Sequence, residues 1–383
     1  MNPATIRPTA TRPLREDDLE VGKPLALAIY DRSGALLLQE GFVIENEQQR
    51  KTLLDRGSLI PLQLKPEPEQ AAAPPPKPPS TIEAMNQLHR DVGMLHRRLL
   101  SGTAAGVKQR VAQLTATIEE HLTRDVDATL ASMQLQLDPG NHAARQTHAA
   151  IICIFATRAL GMDTHTARAL AGAALTYDIA LGPLAMQLNG QSERLSYTQL
   201  AQVRAHPEVS LRLLEAAGID NPIWVDAVLH HHERLDGSGY PHGLRGNAIC
   251  ETTRLLAIID IYTAMLRPRV YRDALPARMA LRSIFLERGK QVDEGLAMML
   301  VKELGVYPPG TLVRLANDEV GIVLRRGEDA THPQVLRVMT EEGFQESERV
   351  LRDTSDAEFH IVDSVPHERM PGIALHAAPL WDV

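Results

Sequence analysis

The stretch from residue 230 to residue 245, HHHERLDGSGYPHGLR, carries most of the side chains in this chain that could do chemistry. Its histidines end a predicted helix, two acids follow at Glu233 and Asp236, and a Gly-Ser-Gly-Tyr-Pro turn comes next. Adjacent helical side chains point about 100° apart, so neighbouring histidines can reach opposite sides of a metal site but cannot share one apolar core. Neutral imidazole is the commonest transition-metal ligand in proteins. The alternative is a polar, exposed helix end followed by a Gly/Pro turn.

Two aspartates stand alone in apolar sequence. Asp178 lies in AGAALTYDIALGPLAM and Asp260 in RLLAIIDIYTAML, and both runs are predicted to be helical. Burying a carboxylate without a partner is costly, so each acid is expected to face a cation, a metal or strong hydrogen-bond donors. An arginine such as Arg254 or Arg267 is one candidate partner. Together with the histidine run, the two acids favour a divalent metal, and carboxylate plus imidazole suits iron or manganese.

The whole string 231–241 is more specific than its parts. It resembles the HHExxDGxGYP signature of the HD-GYP family, and the matching residues are His231, His232, Glu233, Asp236, Gly237, Gly239, Tyr240 and Pro241. Proteins of that family open cyclic di-GMP with a centre of two or three metals. The resemblance therefore implies an all-α HD domain, a divalent metal and a cyclic dinucleotide as ligand.

The resemblance also implies a role for individual residues. Its metal ligands correspond to His148, Asp178, His206, His231, His232 and Asp260. Asp178 would be the catalytic residue, because it would bridge the metals. Substrate binding is expected from the loop residues Gly239, Tyr240 and Pro241 and from the basic residues Arg269 and Arg272.

Three positions depart from the family pattern. Tyr177 stands where the family has the histidine of its His-Asp pair, Leu181 replaces a lysine, and Ala144 replaces a glutamate of the three-metal members. A neutral phenol is a poor metal ligand, and its pKa near 10 resists deprotonation. Losing a cation that stabilises developing charge commonly costs about 10²–10³ in rate. We therefore expect about one metal per chain or none, and weak or absent turnover.

These observations favour a degenerate HD-GYP protein in cyclic di-GMP signalling. It would bind cyclic di-GMP, or signalling proteins through the loop that carries the signature, with little hydrolysis. One alternative is a working metal-dependent phosphodiesterase with one strong metal site and an altered second one. Another is a regulatory interaction protein that binds no ligand.

Composition sets further limits. A net charge of −8 gives no electrostatic reason to expect DNA, RNA or an anionic membrane as partner. The longest apolar run, 149–156, is too short to span a bilayer, so no transmembrane segment is expected. Cys153 and Cys250 both have apolar neighbours and are predicted to be buried thiols in a reducing compartment. A bacterial cytoplasmic location is implied by the resemblance.

Five segments are expected along the chain. They are an N-terminal α+β module at 1–63, a Pro/Ala-rich linker at 64–79, amphipathic helices at 80–138, an HD-GYP helical domain at 139–304, and a C-terminal β-barrel or meander at 305–383. The fold class is thus mainly α, with two small β-containing modules. Ser80 and Glu83 fit a capping box at the start of the amphipathic pair. Its near-heptad apolar stripe predicts either packing on the next domain or a stalk that supports a homodimer.

Overall fold

The computed structural model describes residues 11–33, 36–38, 40–44, 46–56, 58–61, 80–136, 141–191, 193–267, 274–339, 350–367 and 381. The chain divides into two compact units, residues 1–78 and residues 79–383, and each is described by itself.

The first unit is a small antiparallel sheet with one helix. Its elements are β1 (Thr11–Pro13), β2 (Ile29–Tyr30), β3 (Leu36–Leu38), α1 (Glu47–Asp55) and β4 (Leu59–Pro61), with a 3-10 turn at Glu16–Asp18. The strands lie in the order β1-β4-β2-β3. Asn46 caps α1 by accepting the backbone N–H of Gln49. The strands and the helix give this part of the chain the α+β character that the sequence analysis expected.

The second unit is mainly helical. Its helices are α2 (Thr81–Leu100), α3 (Val107–Arg124), α4 (Val126–Leu135), α5 (His142–Ala159), α6 (Thr164–Ala174), α7 (Gly182–Asn189), α8 (Tyr197–Ala216), α9 (Pro222–His230), α10 (Glu251–Met265), α11 (Ala277–Leu286) and α12 (Glu294–Leu304). Helix α5 is the central element, because every residue of it from Gln146 to Thr157 is buried. A helix that is buried on all sides belongs to the interior of the unit, and it packs against α2, α3, α4, α6, α7, α10 and α12.

The capping box at the start of α2 forms as predicted. The Ser80 hydroxyl accepts the Glu83 N–H, and the Glu83 carboxylate accepts the Ser80 N–H. The apolar stripe of α2 and α3, including Met85, Val92 and Ile118, is buried in the same core as α5. Packing on the next domain is therefore the observed solution, and the stripe gives no separate reason to expect a stalk. The homodimer stays a prediction.

Five strands follow the helices. They are β5 (Leu312–Leu315), β6 (Val320–Arg325), β7 (Gln334–Met339), β8 (Leu351–Asp353) and β9 (Ile361–Ser364). All neighbours are antiparallel, in the order β8-β7-β6-β5-β9. The sheet is open, since β8 and β9 are its two edges among the described strands. The meander is confirmed, whereas the barrel alternative is not observed. One sheet face packs Leu312 and Ile322 against Ala128 and Ala131 of α4.

Two further sequence expectations can be compared with the structure. Within the described residues, no helix is both long and apolar enough to cross a membrane. Cys153 is buried as predicted, but the prediction for Cys250 is wrong, because that residue is exposed. Cys250 is the N-cap of α10, where the chain enters the helix at the protein surface.

Candidate metal centre

Three parts of the helical unit bring Asp178 together with three histidines. Asp178 lies in the turn between α6 and α7, His206 lies on α8, and His231 and His232 directly follow the last residue of α9. The sequence placed Asp178 inside a helix, and this was wrong. Helix α6 ends at Ala174, and Pro183, which has no backbone N–H to continue a helix, sits in the first turn of α7. The turn between them points the Asp178 carboxylate at the histidines.

The four side chains are close enough to surround one ion. One ligand atom from each of Asp178, His206, His231 and His232 lies within 4.8 Å of the others. Asp178 Oδ1 is 2.9 Å from His206 Nε2 and 3.5 Å from His231 Nε2. The two Nε2 atoms are 3.2 Å apart.

The hydrogen bonds around this group decide which atoms carry protons. His206 Nδ1 faces the carbonyl oxygen of Val203, and His231 Nδ1 lies 2.8 Å from that of Val228. Each Nδ1 can only donate to a carbonyl oxygen, so each neutral ring has an unprotonated Nε2. These two nitrogens face Asp178 Oδ1, which makes no hydrogen bond of good geometry among the described residues. Three buried electron-pair donors at such distances fit a bound cation, because a divalent metal is what removes their mutual repulsion.

His232 completes the group from the more open side. Its Nδ1 lies 3.8 Å from Asp260 Oδ2, and its ring stacks on Tyr240 with the centroids 4.6 Å apart. Burial, together with the neighbouring imidazoles of His231 and His206, lowers the pKa of His232 well below its ordinary value. The ring is therefore neutral near pH 7, which is the form that binds metals.

A cation that the sequence reasoning missed lies between the two aspartates. Arg145 of α5 donates from Nη1 to Asp178 Oδ2 at 2.8 Å and from Nη2 to Asp260 Oδ1. The expectation that an arginine faces these acids is confirmed, but the two examples named from the sequence, Arg254 and Arg267, are not that arginine. Arg254 pairs with Asp293, and Arg267 Nη1 donates to the carbonyl oxygen of residue 141. The sequence did hold a partial signal, since Arg145 is the only lysine or arginine in the largely apolar stretch 143–157, although its two partners are not visible there.

The ion pairs explain the charge states of the site. Burial alone would raise the pKa of Asp178, but the Arg145 guanidinium lowers it well below the usual range. Burial would lower the pKa of Arg145, but Asp260 and the other neighbouring acids raise it. Asp178 is thus an ionised carboxylate with one oxygen toward the histidines and the other toward the guanidinium.

His148, expected to be the first metal ligand, does not join the group. Its ring packs against His89 with the centroids 5.1 Å apart, and its Nε2 is buried without a hydrogen bond to the described residues. Burial, Arg267 and His89 lower its pKa well below the ordinary value. Asp260 is likewise outside the group of four and faces Arg145 instead.

Of the three departures from the family pattern, Tyr177 borders the same site. Tyr177 is fully buried, and its ring packs edge-on against that of His231 at 4.8 Å between centroids. Burial raises the pKa of its phenol well above 10, so no phenolate is available as a ligand. Leu181 occupies the N-cap position of α7, makes no capping hydrogen bond with its side chain, and supplies no cation.

The loop 233–245, here called the GYP loop, is held by one buried acid. Glu233 accepts the backbone N–H groups of His242 at 2.7 Å, Gly243 at 3.1 Å and Leu244 at 3.0 Å. Gly239 is required by close packing, since a Cβ there would lie 2.5 Å from the backbone of residues 232–234. Tyr240 precedes a cis peptide bond to Pro241 and places its ring on His232. Tyr240 therefore borders the metal group through its contact with His232, whereas Arg269 and Arg272 lie outside the described residues.

Comparisons with known proteins agree with this arrangement. Residues 107–296 match the family described as HD domain. The chain is 29% identical over 225 residues to a cyclic di-GMP phosphodiesterase of Pseudomonas aeruginosa, covering 58% of this chain and 54% of the relative. It is 30% identical over 193 residues to the cyclic di-GMP phosphodiesterase response regulator RpfG of Xanthomonas campestris, covering 50% of each. It is 26% identical over 238 residues to a 3′3′-cGAMP-specific phosphodiesterase of Vibrio cholerae, covering 60% of this chain and 50% of that one.

The helical body with its His/Asp group is thus an HD domain. With the intact HHExxDGxGYP string next to that group, the chain belongs to the HD-GYP family. It spans about half the length of the curated relatives it matches.

Proposed function

We propose that this chain is a cyclic di-GMP signalling protein of the HD-GYP type that binds the nucleotide, or partner proteins, and hydrolyses it weakly or not at all. The observation that carries this proposal is the asymmetry of the site. Asp178, His206, His231 and His232 converge within 4.8 Å, whereas His148 packs against His89. This asymmetry supports the proposal that one half of a two-metal site is present and the other half is not.

The converging half supports one divalent metal, with iron or manganese best suited to three imidazoles and a carboxylate. In this proposal Asp178, His206, His231 and His232 hold it. When bound, such an ion supplies Lewis acidity that attracts and polarises a phosphodiester oxygen. Burial of Asp178 and His231, both 0% exposed, excludes water from the inner side of the site.

The nucleotide is proposed to lie over the open side of this group, next to the GYP loop. Tyr240 is half-buried beside His232, so its ring edge and the loop backbone border that opening. The names of the relatives favour cyclic di-GMP, while one of them acts on 3′3′-cGAMP. Arg269 and Arg272 are proposed to contact its phosphates. The proposed location is the cytoplasm.

Weak turnover follows from what the second half lacks. Tyr177 is a buried neutral phenol where the family supplies an imidazole, and Leu181 supplies no charge where the family has a lysine. Two-metal hydrolysis needs both an ionised water and neutralised phosphate oxygens. The remaining groups can bind a phosphodiester but are poorly equipped to ionise water beside it.

The test combines binding and turnover. Cyclic di-GMP is titrated calorimetrically into wild type loaded with Mn²⁺, and the products are followed by chromatography under anaerobic conditions with Fe²⁺ or Mn²⁺. We expect binding with little hydrolysis, loss of bound metal in His232→Ala, and no change in His165→Ala, whose side chain contacts Asn221 on the far end of α9. Brisk hydrolysis by wild type would show a working phosphodiesterase. Absence of binding to any cyclic dinucleotide would leave the interaction protein as the answer.

A further inference from the structure

The position of Arg145 suggests more than an ordinary ion pair. Its side chain is only 11% exposed, and the two acids it joins, Asp178 and Asp260, have side chains 0% and 5% exposed. Each of its two terminal nitrogens donates a hydrogen bond to a carboxylate oxygen, one on each acid. A planar guanidinium between two buried carboxylates matches their charge and their geometry.

Asp178 uses its two oxygens in opposite directions. Oδ1 faces His206 and His231, and Oδ2 faces Arg145. A carboxylate that bridges two metals divides its oxygens in the same manner, one to each ion. The bridging geometry of Asp178 is thus present, with the proposed metal at one end and a guanidinium at the other.

We propose that Arg145 takes the place of a second divalent cation, so that the centre is built from one metal and one fixed guanidinium. This inference rests on the proposed function for the metal held by Asp178, His206, His231 and His232. A second ion on Asp178 and Asp260 would have to displace a charge that is already paired with both acids. The third side chain expected to bind such an ion, His148, faces His89 while Arg145 occupies the space between the two acids.

The substitution has a chemical consequence for the ligand. A guanidinium neutralises the aspartates, but it stays protonated and offers no acceptor orbital, so it cannot lower the pKa of a water molecule as a metal does. The positive charge that offsets the two aspartates, and so allows an anionic phosphodiester to bind, is therefore retained. One of the two metal ions that would ionise the water for attack on the phosphodiester is missing. Arg145 is in this sense a positioning residue that separates nucleotide binding from hydrolysis.

The test counts metal rather than activity. Wild type, Arg145→Ala and the control Arg254→Ala, which removes an arginine paired with Asp293 on the same unit, are equilibrated with Mn²⁺, and bound metal is measured by mass spectrometry. We expect Arg145→Ala to hold about one Mn²⁺ more than wild type, and Arg254→Ala to match wild type. An unchanged count in folded Arg145→Ala, or two Mn²⁺ in wild type, overturns the inference.

Stability supplies a second measurement in case Arg145→Ala folds poorly. If Mn²⁺ can replace the guanidinium, it should raise the melting temperature of Arg145→Ala more than that of wild type, and it should rescue a variant that is unfolded without metal. Arg145→Ala that stays unfolded with Mn²⁺ overturns the inference. Titration of cyclic di-GMP into wild type keeps the two proposals apart, because absent nucleotide binding refutes the proposed function without changing the metal counts.

Discussion

Glu233 offers the sharpest test of how the GYP loop is held beside the metal group. Its side chain is buried, with the residue 2% exposed, and it accepts three backbone N–H groups from residues 242–244. Replacement by glutamine keeps the shape but removes the charge and turns one oxygen into an NH₂ group. Glu233→Gln therefore alters three hydrogen bonds with almost no change in volume.

The magnitude follows from these contacts. A hydrogen bond to a charged group contributes about 1.5–3 kcal/mol and a neutral one about 0.5–1.5 kcal/mol, so the two bonds that stay lose about 1 kcal/mol each. At the third contact the new NH₂ group faces a backbone N–H, so both groups are donors, and a buried unpaired N–H costs about 1–3 kcal/mol. We expect Glu233→Gln to lower the free energy of unfolding by about 3–5 kcal/mol.

The chain provides its own probe. Both tryptophans, Trp224 and Trp381, lie in the unit 79–383, so tryptophan fluorescence during urea denaturation reports on that unit alone. Asp236→Asn is the matched control, because Asp236 is an exposed acid of the same loop that accepts hydrogen bonds from the Ser238 backbone and hydroxyl. Its loss should be under about 1 kcal/mol. Equal effects of the two substitutions would refute the assignment of Glu233 as the anchor.

Three further predictions concern other parts of the same unit. Gly239→Ala places a Cβ 2.5 Å from three backbone atoms and should lower the free energy of unfolding by at least about 1–3 kcal/mol. The control Gly190→Ala, where the nearest atom to the new Cβ is 3.8 Å away, should change it by almost nothing. Urea denaturation of the two variants measures both free energies. Hydrogen bonds from Arg352 and then Arg337, opposed by burial, lower the pKa of Glu319 to about 2. The ionised Glu319 therefore stabilises the folded state fully above its unfolded pKa near 4.5, and this contribution is lost as pH falls toward 2. The loss of unfolding free energy in Glu319→Gln should accordingly shrink from about 3 kcal/mol at pH 7 to little at pH 2. Chelation should lower the melting temperature of wild type but not of His206→Ala, since Mn²⁺ at 100 times its Kd contributes about 2.7 kcal/mol; equal shifts would refute a metal at His206.

Much of the fold could be predicted because the signals are local. The capping box at Ser80, the apolar run in α5 and the turn-separated strands at the C-terminus depend on residues a few positions apart. The barrel could not be distinguished from a meander, because closure depends on whether the two edge strands meet. The exposure of Cys250 was missed because apolar neighbours in sequence do not fix which side of a helix start faces the solvent.

The sequence by itself determined the family and the part of the metal centre that His231, His232 and the GYP loop form. His231, His232 and the loop after them lie within one short string, so their arrangement follows from a helix end and a tight turn. Only the tertiary structure decided how the acids are balanced. Arg145 is 33 residues from Asp178 and 115 residues from Asp260, and it reaches both because α5 packs against the turn after α6 and against α10. Which basic side chain enters a buried acidic pair is set by that packing, and no pattern of spacing along the chain encodes it directly.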